Sequence, residues 1–163
     1  ILHPKLSPLK LFTPYHDPLL KELERREGVE HEVIEEDSEI EFMGAKISFF
    51  KQVHPVECYA IKVAYQGKTL IYGADGAYSE GFSSFIKDCD LLIVEYSLFK
   101  YPVGDSGHMN EESIIRLLKE ANPKRTLLTH LWRNDSKEEL LEAIKEKVTS
   151  KVEIINTEKV YEL

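Results

Sequence analysis

The sequence predicts an α/β domain in which an antiparallel meander runs into a mostly parallel sheet. Three observations predict it. Apolar residues alternate with polar or small ones between positions 40 and 65, the period of strands buried on one face. From residue 69 onward, short and nearly unbroken apolar runs are separated by helical stripes, the pattern of strand-helix-strand units. Finally, 163 residues with 42% hydrophobic and 31% charged side chains have the length and profile of one globular domain, 1–163, able to bury a core.

The elements follow in order. Leu9 to Thr13 reads as a short strand with no earlier element long enough to accompany it, so the chain is expected to begin in mid-domain. Asp17-Pro18 offers a helix N-cap with proline in the first turn, and Leu19, Leu20 and Leu23 give that helix an apolar face up to Gly28. Ile40 and Phe42, then Ile47 and Phe49, then Tyr59, Ile61, Val63 and Tyr65 mark three meander strands, with turns at Gly44 and at Gln66-Gly67. Thr69 to Tyr72, Leu91 to Val94, Thr126 to Leu128 and Val152 to Ile155 read as strands covered on both faces. Between them, Ile114, Ile115, Leu117, Leu118 and Ala121 stripe one helix, and Leu140, Leu141, Ile144 and Val148 another that opens with Ser136 and Glu139 as a capping box. The end is expected to close as a small hairpin around Thr157-Glu158, with Lys159 to Leu163 as its second arm.

Charge and composition exclude several classes. With 29 acids against 21 Lys plus Arg, the net charge of −8 disfavours extended nucleic-acid binding. The acids concentrate between Glu27 and Glu41, a run without Lys or Arg that reads as a solvated edge or loop face. No apolar run approaches the roughly 20 residues needed to span a bilayer, and the first residues lack signal-peptide character, so no membrane partner is expected and the default location is cytoplasmic. Cys58 and Cys89 lack a partner motif and read as buried free thiols.

The chemistry concentrates where strands end. Three buried strands stop at Asp75, Glu95 and His130, and C-terminal strand ends in such sheets form a shared crevice. His54, made rigid by Pro55, and His108, in the loop Gly104-Asp-Ser-Gly-His108, fit the same crevice. His54, Asp75 and His130 supply the imidazole and carboxylate donors a divalent ion needs. Glu95 and His108 suit a paired role, because a carboxylate that orients an imidazole fixes its tautomer for general acid work. His3, His16 and His31 have no partner at ligand spacing and read as structural. Trp132, Tyr72 and Tyr96 read as core in preference to pocket lining.

The segments Phe50-Lys-Gln-Val-His54-Pro-Val-Glu-Cys-Tyr59, Gly67-Lys-Thr-Leu-Ile-Tyr-Gly-Ala-Asp75, Asp90-Leu-Leu-Ile-Val-Glu95, Gly107-His108-Met-Asn-Glu-Glu112 and Leu127-Leu-Thr-His130-Leu occur in that order. Together they resemble the later motifs of metallo-β-lactamase-fold hydrolases of the ribonuclease Z-like branch. The resemblance implies the αβ/βα sandwich of that fold, represented here by its larger C-terminal part. It implies a hydrolase with two metal ions, usually zinc with manganese as the alternative, that turns water on a phosphodiester or similar ester. His54 then matches a ligand of one metal, Asp75 the carboxylate shared by both, and His130 the last ligand of the second. Glu95 and His108 match the pair that assists the leaving group.

Two departures stand out. The family's usual Gly-Asp-Thr at the shared aspartate is Ala74-Asp75-Gly76 here, and the family's N-terminal His-x-His-x-Asp-His occurs nowhere. Two ligands per metal remain, counting Asp75 twice, so this chain alone is expected to bind metal weakly and to be nearly inactive. A truncated product, a completing N-terminal segment on another chain, and a degenerate homologue each account for that count. An exposed apolar face that invites association, including a homo-oligomer, is expected with it. The expected substrate is a small phosphodiester or ester. The alternatives are a different ester, lactone, thioester or amide bond, or a non-catalytic binding module of the same fold. A phosphoacceptor domain built on Asp75 lacks its acidic pair and its lysine.

Overall fold

The computed structural model describes residues 8–14, 22, 25–98, 100, 107–131 and 136–163. The helix expected after Asp17 falls mostly outside the described residues, as do His3, His16 and Trp132.

A seven-stranded sheet organises the chain in the order β3 (Glu39–Phe42), β4 (Ala45–Lys51), β5 (Tyr59–Tyr65), β6 (Lys68–Tyr72), β7 (Leu91–Glu95), β8 (Arg125–Thr129) and β9 (Lys151–Ile154). From β3 to β6 the pairing is antiparallel, through turns at Met43-Gly44 and Gln66-Gly67. From β6 to β9 it is parallel. Three helices make the crossovers: α1 (Glu80–Phe85), α2 (Glu111–Ala121) and α3 (Lys137–Lys145). The change of period at residue 69 therefore marks the change from hairpins, which need only tight turns, to parallel strands, which need a crossover between them.

The core lies where the helices meet the parallel strands. Phe82 and Ile86 around α1, Ile114, Leu117 and Leu118 of α2, and Leu140 and Ile144 of α3 pack with Ile71, Leu92, Val94 and Leu128 of the sheet, all essentially buried. Each large apolar side chain buried this way contributes about 1.5–3 kcal/mol. Coverage on both faces holds for β7 and for the centre of β8, but not for all four parallel strands. Only Ile71 is buried in β6 and only Val152 in β9, because β6 borders the meander and β9 is an outer strand.

The acidic run contains a strand that charge composition concealed. Val29–Val33, β2, pairs in parallel with β1 (Leu9–Thr13) as a separate two-stranded sheet. Its Val29, His31 and Val33 are half-buried while Glu30 and Glu32 face out, and the His31 ring meets the Thr13 hydroxyl at 2.6 Å. His31 is structural, as expected.

Helix starts also differ from expectation. The closed capping box is at α2, where the Asn110 side chain accepts from the Ser113 amide and the Ser113 hydroxyl returns the bond. At α3, Ser136 accepts from the Glu139 amide at 3.4 Å, but the Glu139 carboxylate turns to Lys100 at 3.5 Å and the expected box stays open. The terminal hairpin does not form: among the described residues no strand follows Ile154. The Asn156 side chain and carbonyl take the amides of Glu158 and Lys159, while the Tyr161 hydroxyl accepts from the Asn156 amide and Arg125 covers the Tyr161 ring. Those bonds leave a turn and a folded-over tail in place of a second arm. Among the described residues no helix is long and apolar enough to cross a membrane.

Candidate metal centre

The five side chains singled out in the sequence converge on one rim of the sheet. His54 lies beyond β4, Asp75 beyond β6, Glu95 at the end of β7, His108 before α2, and His130 immediately after β8. The His130 Nδ1 meets Asp75 Oδ1 at 2.8 Å. The His108 ring stands 5.2 Å from that of His54 and 5.4 Å from that of His130, edge-on to both. Ligand-capable atoms of Glu95, His108 and His130 fall within 4.8 Å of one another.

Burial separates these groups into two roles. Glu95 is 1% exposed and its two oxygens accept four hydrogen bonds. The Ser97 amide (2.9 Å) and hydroxyl (2.6 Å) reach Oε2, and the Met109 amide (2.9 Å) and His108 Nδ1 (3.2 Å) reach Oε1. The carboxylate holds the His108 ring by its Nδ1 side and also lies within the donor cluster. Asp75 and His130, by contrast, keep 40% and 50% of their side-chain surface accessible. The His54 ring turns Nδ1 to the Val56 carbonyl at 2.9 Å. Imidazole nitrogens beside an open carboxylate are a donor set that fits zinc or a similar divalent ion.

Local backbone explains how the residues reach these positions. His130 and Ala74 both adopt left-handed conformations, φ 54° and 53°, uncommon for side chains other than glycine and on the order of 1 kcal/mol unfavourable. The first turns the chain sharply at the end of β8; the second turns it just before Asp75. Gly107 has φ 72°, and a Cβ there would stand 2.5 Å from Pro55 Cδ and 3.0 Å from the His54 ring. The loops bearing His54 and His108 pack together through that bare glycine.

Sequence reasoning missed the groups around the ligands. Ser97 and Met109 anchor Glu95, Gln52 donates to the Gly73 carbonyl at 2.5 Å, and Cys58 donates its thiol to the Asp75 carbonyl at 3.0 Å. Cys58 is half-buried, not fully buried, and burial followed by the nearby Asp75 charge raises its pKa. Cys89 is a buried thiol as expected, pushed up to about 12 by burial. Tyr96 is core, whereas Tyr72 is 45% exposed. The positions of Gln52, Cys58 and Gly107 within or beside the histidine segments were the available signal.

A family model described as Beta-lactamase superfamily domain matches residues 7–131. The chain belongs to that family. The probable metallo-hydrolase YhfI of Bacillus subtilis is 44% identical over 86 residues, which are 52% of this chain and 35% of YhfI. The crystal structure of Bacillus subtilis YhfI, a metallo-β-lactamase fold protein, superposes with a TM-score of 0.82 at 27% identity over 93% of this chain and 62% of that one. Human tRNase Z, short form, gives 0.62 at 16% identity over 79% of this chain and 62% of its own. A diphosphatase from the PhnP family gives 0.70 at 16% identity, over 93% and 58% respectively. The metallo-β-lactamase fold is therefore this superfamily member's fold, and the chain spans less than two thirds of the length of each of these relatives.

Proposed function

We propose that this chain carries the C-terminal ligands and the proton donor of a metal-dependent hydrolase in the ribonuclease Z-like branch. Its substrate is proposed to be a small phosphodiester or a related ester. The convergence of His54, Asp75, Glu95, His108 and His130 on one rim carries the reading. Relatives described as a probable metallo-hydrolase, a tRNase Z and a diphosphatase support it.

In this reading His54, Asp75 and His130 would hold the metal, with Asp75 shared between two ions, zinc in both places or manganese as the alternative. A divalent ion held there would supply Lewis-acid chemistry, lowering the pKa of a bound water and offsetting negative charge at the scissile group. Everything else falls to the chain itself. Glu95 keeps the proton of His108 on Nδ1 when the ring is neutral, and the Nε2 of the protonated ring delivers a proton to the departing oxygen. The net charge of −8 favours a small substrate over an extended nucleic acid. The whole of 1–163 acts as one domain of a cytoplasmic protein. Three ligand side chains fall short of two coordination spheres, so these residues by themselves are expected to bind metal weakly.

The test is metal analysis of the full-length protein together with turnover of bis-p-nitrophenyl phosphate, p-nitrophenyl phosphate and a simple lactone. About two equivalents of zinc or manganese, with chelator-sensitive cleavage of the diester, is the expected result. A metal-loaded protein that cleaves only the lactone moves the substrate class; a full-length protein that takes up no divalent ion overturns the reading.

A further inference from the structure

We propose that Gln52 is a positioning residue for Asp75, and that residue 76 is glycine because the Gln52 side chain fills the space beside it. The effect on metal binding rests on the reading of Asp75 as a ligand; the effect on the loop does not.

Gln52 follows β4 and is 5% exposed. Its Nε2 donates to the Gly73 carbonyl at 2.5 Å, and its backbone amide donates to the Cys58 carbonyl at 3.0 Å. Cys58 Sγ in turn donates to the Asp75 carbonyl at 3.0 Å, and the Ala77 amide to the Val53 carbonyl at 2.9 Å. Residues 73, 75 and 77 are thus each tied to the segment 52–58, and the left-handed turn at Ala74 is held between ties. A loop pinned at alternate peptides has one register, and that register aims the Asp75 carboxylate at His130.

Shape points the same way. A Cβ on Gly76 would stand 2.7 Å from Gln52 Cδ, 2.8 Å from Oε1 and 3.0 Å from Cβ. Residue 76 does not need glycine for a left-handed backbone, so a side chain there is opposed by the Gln52 side chain and not by backbone conformation. Gln52 Oε1 is buried and accepts no hydrogen bond among the described residues. An unpaired buried acceptor is unfavourable, and an apolar residue of equal volume would fill the core without it. Retention of the amide is accounted for by its other end, the donor that grips Gly73.

The experiment uses full-length protein. Gln52→Met keeps the volume and removes the donor; Gln52→Asn, too short to reach, serves where the first variant does not fold. Either is expected to weaken zinc binding about tenfold, by chelator competition, and to change the imidazole 15N shifts of His130 in metal-free protein. Ile144→Val, a change in the core on α3, is expected to lower thermal stability while leaving both readouts unchanged. In a double-mutant cycle, the melting-temperature loss from Gly76→Ala is expected to fall by half or more when Gln52 is alanine. Unchanged zinc affinity and His130 shifts in the Gln52 variants, or strictly additive losses in the cycle, would overturn the proposal. Should the parent protein bind no zinc, the hydrolase reading falls by itself, while the His130 shifts and the cycle still decide the role of Gln52.

Discussion

The Asp75 carboxylate and the His130 imidazole meet at 2.8 Å although 55 positions separate them in the chain. Both sit at ends of strands in the parallel part of the sheet, with β7 between those strands. Parallel strands present all their C-terminal ends at one rim, so residues remote in sequence become neighbours without any long loop.

That contact is exposed, and this governs what its removal does. Asp75→Ala and His130→Ala are expected to change stability by no more than about 0.5–1 kcal/mol, the range of an exposed charged pair. Each is expected to lower metal content and to reduce turnover at least about a hundredfold in the full-length enzyme. Urea titration alongside metal analysis checks both; a variant that keeps its metal and its rate removes the residue from the centre.

Glu95 and His108 should behave in the opposite ways. Glu95→Gln places an amide NH2 group among donors that had a carboxylate to themselves, at a position 1% exposed, and is expected to destabilise by about 2–4 kcal/mol. His108→Ala removes a group 22% exposed at its side chain and leaves the Glu95 anchors in place. It is expected to preserve the fold and metal content while lowering kcat about a hundredfold or more, with little change in KM. Melting curves and steady-state kinetics on the two variants separate orienter from proton donor.

Gly107→Ala tests the junction between the two histidine loops. At φ 72° an alanine is strained, and its Cβ would enter the space of Pro55 and His54. A loss of about 1–3 kcal/mol is expected, with weaker metal binding because His54 and His108 move apart. A melting temperature equal to the parent's would show that the loops separate freely and are not locked by that contact.

How far the sequence carried can be read from particular residues. Asp75, Glu95 and His130 were legible because each ends an apolar run, and a run's end is visible in one dimension. Strand β2 was not, because Val29, His31 and Val33 alternate with glutamates inside an acidic run whose charge suggested solvent. Gln52 was invisible for a different reason. A polar residue in an alternating run, beside Phe50 and Val53, looks like one on the solvated side of a strand, and only the fold shows it buried against Gly73 and Gly76. The hairpin expected at the end failed because Asn156 and Tyr161 satisfy the backbone locally, a choice that propensity does not reveal.

The acid limb of stability should be set in part by Glu153, at the outer strand β9. Burial alone would push its carboxyl up, but hydrogen bonds from Lys159 and Arg125 and the charges behind them prevail, lowering it from 4.5 to about 2. Asp90 moves in the same direction, lowered by hydrogen bonds from Lys124 and the Thr69 amide. A group whose folded pKa lies below its unfolded one binds its proton more readily when unfolded. Its stabilisation is therefore complete above the unfolded value and drains away as pH falls from about 4.5 toward 2. With the Glu153 side chain 24% exposed, solvent screening brings the contribution to on the order of 1 kcal/mol. Glu153→Gln is expected to lower stability by that amount at pH 7 and to flatten its decline between pH 5 and pH 3. Urea midpoints of parent and variant across that range check the sign: curves that stay parallel down to pH 3 would mean that the Arg125 and Lys159 contacts do not hold in solution.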